Sequence, residues 1–197
     1  MLYLVVGLVL FLGVHSVAIF APRWRERKIR SLGEHRWKGL YSLVAAIGLV
    51  LLIYGYGRAR WDPVVLYVPP PWTRHATALL MLPVFPLLIA TYFPGRIQSA
   101  LKHPMLVAVK LWAFAHLLAN GMLADVLLFG GFLAWAVADR ASFRYRGQKP
   151  VPQAAAPSWK NDLIAVVGGL AVYVVFALWL HVQLIGVPVA PMAVPSS

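Results

Sequence analysis

The sequence predicts an all-α polytopic membrane protein, a single integral-membrane domain over residues 1–197 built as a bundle of about six transmembrane helices. Three observations predict it. Of the 197 residues, 61% are hydrophobic and only 12% charged, where a soluble domain carries about a quarter charged residues; mean hydropathy is +0.74. Apolar runs near the ~20 residues needed to cross a bilayer recur along the chain. The cations gather in alternate loops between those runs.

The first span, 1–21, has no basic residues ahead of its apolar run and leads straight into a basic segment. That pattern is expected of a retained helix and not of a cleaved signal peptide. Pro22 closes it, and residues 22–38 read as a basic loop. The second span is 39–57. The stretch YGYGRARWDPVVLYVPPPWTRH (54–75) is rich in Trp and Tyr, as an interfacial loop should be. The third span, 76–93, contains Pro83 and Pro86 and should kink there. The fourth, 104–120, opens on Pro104, which suits a first helical position because its missing N–H costs nothing there. Asn120-Gly121 predicts a tight hairpin into the fifth span, 123–138. The sixth is 163–182, after a stretch whose KPVPQAAAP part (149–157) reads as a flexible linker. Gly130-Gly131 and Gly168-Gly169 permit close helix approach.

Charge sets the expected orientation. The 22–38, 94–103 and 139–162 segments hold seven, two and five Lys or Arg, fourteen on one side. The other side has Arg58, Arg60 and Arg74, and Lys110 lies within the fourth span. The positive-inside rule puts the fourteen in the cytoplasm and both termini in the periplasm of a bacterial inner membrane. A net charge of +12 would suggest nucleic acid in a soluble protein. Here no Lys/Arg stripe alternates with aromatics on a soluble face, so the partner is the lipid bilayer and not nucleic acid. The absence of cysteine excludes disulfides, thiolate metal sites, iron–sulfur clusters and covalent c-type haem.

Six histidines remain as candidates. His35 lies in the basic loop, His75 at the start of span three, His103 before Pro104, and His181 near the end of span six. His15 and His116 lie well inside spans one and four, where ionisable side chains usually face the bundle interior and serve function. Two readings stand for them. Each is a neutral imidazole bonded to a backbone carbonyl or hydroxyl, or each is a ligand, since neutral imidazole also binds haem iron. Helix periodicity puts Trp112, Ala113 and Asn120 on the face of His116, and Leu8, Phe11 and Ile19 on that of His15. Ala113 leaves room for a flat ring, Trp112 can stack on it, and Asn120 can bond a ring nitrogen or a substituent. The two depths differ by about 8 Å at 1.5 Å per residue. Helix tilt or an inclined ring absorbs this, or else His75 or His181 replaces one of the pair. Propionates of a haem near the periplasmic side would find Arg58, Arg60 and Arg74 as cations. The six carboxylates lie at loops or helix ends with no dyad inside a span, so general acid/base chemistry finds little support.

Five pieces in order, HSVAIFAP (15–22), GEHRWKGLYSL (33–43), KHP (102–104), KLWAFAHLLANG (110–121) and LFGGFLAWAVADR (128–140), resemble the NnrU family of nitrite/nitric-oxide-reductase-associated membrane proteins, a relative of 15-cis-zeta-carotene isomerase. The resemblance covers spans one to five. It implies a non-covalent haem b held by two histidines, matched here by His15 and His116, with iron-centred redox or isomerase-type chemistry on a lipophilic polyene. It also implies an alternative, a non-enzymatic accessory factor for a nitrite or nitric oxide reductase system. A more distant similarity, to isoprenylcysteine-type membrane methyltransferases, rests on the His-Pro and HS…P elements. Those enzymes carry a carboxylate-rich signature where this chain reads ADRASFRYRGQKP, with Asp139 its only acid.

Overall fold

The computed structural model describes residues 1–146 and 153–189; Lys149 and the start of the expected linker lie outside them. The described residues are mostly helical, as expected, and their β structure is one isolated antiparallel bridge, Val65 to Met122. Among the described residues, five helical stretches are long and apolar enough to cross a membrane: Leu2–Phe20, Glu34–Ala59, Thr73–Ala90, Leu123–Arg146 and Trp159–Ile185. The sixth expected span is a shorter apolar helix, Pro104–Ala119. The chain divides into two compact units, Met1–Val68 with Asn120–Lys149, and Pro69–Ala119 with Pro150–Ser197.

In the first unit, α1 runs Leu2–Phe20, α2 Pro22–Leu32 and α3 Glu34–Ala59. The stretch expected as a loop, 22–38, is therefore mostly helix. One residue, Ala21, joins α1 to α2, because Pro22 lacks the N–H that would continue α1 yet fits the first position of a new helix. One residue, Gly33 at φ 81, joins α2 to α3, in a backbone region that glycine enters without strain. The helix of the second span begins at Glu34, ahead of the expected 39, with Glu34 and Lys38 paired at 2.8 Å across one exposed turn. The fifth span, α8, is Leu123–Arg146. It continues eight residues past the expected 138, because a helix need not stop where its apolar run does.

α1 and α3 approach backbone to backbone. A Cβ on Gly48 would stand 2.6 Å from the Phe11 nitrogen, and Cβ atoms on Gly7 and Gly55 would meet the backbone of Leu52 and Leu4. Such small-residue seams replace the hydrophobic drive that lipid removes. Gly130 has nothing within 4 Å of its Cβ direction, and Gly131 meets only leucine side-chain tips, so that pair does not make the close approach. A Gly55→Ala change is expected to destabilise the protein by about 1–3 kcal/mol, because the two backbones must separate. Gly57→Ala, on the same helix but facing open space, should leave the melting temperature in detergent unchanged. Equal melting of the two variants would remove the seam argument.

In the second unit, α4 (Thr73–Met81) and α5 (Val84–Ala90) share the third span. Pro83 divides them: Leu82 N–H turns to the Leu79 carbonyl at 3.2 Å, three residues back. The 94–103 segment, expected as a loop, holds the short helix α6 (Arg96–Leu101). α7 (Pro104–Ala119) starts on Pro104. α9 (Trp159–Val175) continues through a π turn, Phe176–Leu180, into α10 (His181–Ile185). Val84, Leu87 and Ala108 form a core with Ile97, Leu111 and Trp112 around it, and Gly169 lets α9 touch the backbone at Pro86. The described part of the expected linker is docked. Ala154 N–H donates to the Tyr92 carbonyl at 2.7 Å, and Asn161 Nδ2 donates to the carbonyls of Pro94 and Ala156 at 2.8 Å each. Asp162 accepts the N–H groups of Arg96 and Ile97 at 2.9 and 3.0 Å, closing the start of α6.

Candidate functional site

His15 lies on α1, half-buried. Its Nδ1 is 2.6 Å from the Phe11 carbonyl, one turn back. A carbonyl only accepts, so Nδ1 carries the proton and Nε2 carries the lone pair. No hydrogen bond engages that Nε2 among the described residues. Aromatic rings wall it in. Phe11 stands at 4.4 Å between centroids, Tyr41 of α3 at 5.3 Å and edge-on, and Trp135 of α8 at 6.0 Å and perpendicular. Phe132 lies behind Phe11 at 5.7 Å. The Trp135 Nε1–H is buried with no hydrogen-bond partner among the described residues, and a buried donor left unpaired costs about 1–3 kcal/mol. Leu8 and Ile19, expected beside His15, are buried.

His116 lies on α7 in the second unit and repeats the arrangement. Its Nδ1 is 2.8 Å from the Trp112 carbonyl, which again puts the lone pair on Nε2. The Trp112 ring stands 5.5 Å from the imidazole. Ala113 is fully buried, and Thr77 of α4 donates to the Ala115 carbonyl at 2.8 Å, pinning this turn. Asn120 is one residue beyond the helix, so helix periodicity no longer sets its direction. It belongs to the first unit, where its carbonyl accepts the Tyr67 hydroxyl at 2.7 Å.

The remaining histidines differ. His35 and His75 are exposed, and His103 is half-buried ahead of α7. His181 Nδ1 is 2.6 Å from the Val187 carbonyl, a bond made outside its own helix. Among the described residues no group of three or more His, Asp or Glu is placed to hold a metal ion. Of the expected cations, Arg58 lies over the Trp61 ring at 5.2 Å and Arg60 over the Tyr56 ring at 5.9 Å. Arg74 is exposed in the second unit.

One residue at the same end of the first unit carries more than its sequence position suggests. Asp125 is fully buried. It accepts the Tyr56 hydroxyl at 2.6 Å and the Met122 N–H at 2.9 Å. The third residue of a helix reaching back to the N–H ahead of it is half of a capping box, and that spacing was the available signal. The 64–67 strand-like segment docks here, with Leu66 N–H on the Gly121 carbonyl at 2.8 Å and Leu123 N–H on the Val64 carbonyl at 2.8 Å. Burial, and then the Asp125 charge, push the Tyr67 phenol above the usual tyrosine range, so it stays a neutral donor. At the other end of α8, Asp139 is ion-paired with Arg146, which also bonds Ser142. The single acid of that segment is thus already occupied.

A family model described as "NnrU protein" matches residues 3–189. No curated protein and no solved structure matches the chain.

Proposed function

The chain belongs to the NnrU family, and from that premise we propose that it is a membrane protein holding haem b non-covalently, with His15 and His116 as the two iron ligands. The observation that carries this reading is the shared imidazole geometry. Both rings donate Nδ1–H to the carbonyl one turn back, which fixes the tautomer with Nε2 as the basic nitrogen. A metal-ligating histidine is usually held in this way by its other ring nitrogen. At His15 the same bond satisfies the simpler reading, a carbonyl-bonded neutral histidine, for one nitrogen only. The aromatic surroundings of His15 suit porphyrin edges, and the buried Trp135 N–H needs an acceptor. When bound, haem b would supply one-electron redox chemistry at an iron able to engage a lipophilic double bond or a nitrogen oxide. The protein's own part is to fix both imidazoles, to exclude water with Phe11, Tyr41 and Trp135, and to leave access from the bilayer.

The absorption spectrum of the purified chain tests this reading. A sharp Soret band with resolved α and β bands on reduction is expected; colourless protein that binds S-adenosylmethionine would overturn it in favour of a methyltransferase.

The propionates require cations or water, and Arg58, Arg60 and Arg74 are the partners in this reading. Replacing all three with Gln should speed haem loss to apomyoglobin about tenfold, the scale of outer-shell changes. Unchanged loss would move the propionates to other cations. For orientation, the reading is a bacterial inner membrane with both termini periplasmic, from the fourteen-to-three cation asymmetry. The chain lacks cysteine, so Ser31→Cys gives one thiol on α2. An impermeant maleimide added to intact spheroplasts should leave it unlabelled, and labelling would reverse the orientation.

A further inference from the structure

We propose that α2 is a docking surface for anionic lipid headgroups of the same membrane, phosphatidylglycerol-type phosphates bound by Arg23, Arg27 and Arg30. The inference starts from how α2 is tied. Ala21 alone separates it from α1, and Gly33 alone separates it from α3. Both neighbours are membrane spans by length and hydropathy. Eleven residues extend about 16 Å, and joints of one residue leave no slack for the helix to leave the membrane surface. No residue of α2 is buried, so packing does not explain its conservation of helical form between two spans.

The charge on α2 is arranged. At 100° per residue, Arg23, Arg27 and Arg30 fall within a stripe about 60° wide, and all three are exposed. The ion pairs Glu34–Lys38 and Asp139–Arg146 involve none of them. Trp24 flanks the stripe, about 90° from its centre, and Ile29 and Leu32 lie opposite it together with Arg25 and Lys28. Trp24 meets the Trp37 ring of α3 edge-on at 5.8 Å, and Lys28 Nζ lies 5.8 Å from the Trp24 ring. The Trp24–Trp37 contact holds the Trp24 side of α2 against α3, with the arginine stripe centred about a quarter-turn from it. An arginine stripe held at a bilayer surface beside an amphipathic helix's aromatic side matches phosphate in charge and in geometry. Guanidinium groups bind phosphate by paired N–H donors, and each cation near an anionic surface contributes on the order of a fivefold preference at low salt.

The test uses the full chain reconstituted into vesicles of equal parts phosphatidylcholine and phosphatidylglycerol, with spin-labelled versions of either lipid as the probe. The fraction of each probe immobilised by the protein gives its relative association constant. Phosphatidylglycerol should be favoured at least fivefold at low salt, and the preference should fall toward unity at ~1 M salt, where the screening length is about 3 Å. The combined Arg23→Gln, Arg27→Gln, Arg30→Gln variant should lose the preference. The corresponding triple Lys variant should keep most of it, and its retained preference excludes misfolding as the cause of loss. An undiminished preference in the Gln variant overturns the proposal. So does loss of the wild-type preference to inorganic phosphate at constant ionic strength, which would make the stripe a site for free anions.

Discussion

His15→Ala and His116→Ala are each expected to reduce haem retention at least about tenfold, or to leave high-spin iron with a shifted Soret band. The argument runs through the second nitrogen. In both rings the Nδ1 bond goes to a carbonyl of the same helix, and that carbonyl keeps its main-chain partner when the imidazole is removed. Truncation therefore orphans no backbone group, and the fold should persist in both variants. What is lost is Nε2, the nitrogen that this reading assigns to iron. Added imidazole should restore the low-spin spectrum, which a merely unfolded variant would not show. His35→Ala, an exposed residue on the first turn of α3, should change nothing. His75→Ala and His181→Ala complete the set. If either of them changes the spectrum while His15→Ala and His116→Ala do not, the ligand pair is wrong although the haem reading survives.

The spans were legible because their signals are local. Hydropathy and the missing proline N–H act within a few residues, and so Pro22, Pro83 and Pro104 fall where one helix yields to the next. α2 was hidden for the same reason. Its sequence, PRWRERKIRSL, has no apolar run, and its helical state follows from the two spans that pin its ends. The glycine seam shows a different limit. Gly130-Gly131 stands out in the sequence, yet Gly7, Gly48 and Gly55 meet a backbone, because the rotation of a partner helix decides which glycine matters. At the site, periodicity put Phe11 beside His15 and Trp112 beside His116. Tyr41 and Trp135 come from other helices, and no spacing in the chain encodes that meeting.

Asp125→Ala is expected to destabilise the protein by about 3–5 kcal/mol, the largest single effect outside the histidines. Two donors, the Tyr56 hydroxyl and the Met122 N–H, point at the two oxygens of a fully buried side chain. Hydrogen bonds to such a group are worth about 1.5–3 kcal/mol each, and removing it strands both donors. The two bonds join three pieces: the end of α3, the turn at 120–122 and the first turn of α8. Lowering of the melting temperature in detergent by on the order of 10 °C would correspond to that loss. Asp125→Asn should fall between Ala and wild type. Its one oxygen can take the Met122 N–H, and its amide can donate to the Tyr56 oxygen, but the tyrosine hydrogen then has no acceptor. Tyr56→Phe should cost about 1.5–3 kcal/mol, the loss of one of the two bonds, since the Met122 bond and the turn it closes remain. Equal melting of Asp125→Ala and Tyr56→Phe would show that the cap on Met122 contributes nothing, and that the buried acid serves the tyrosine alone.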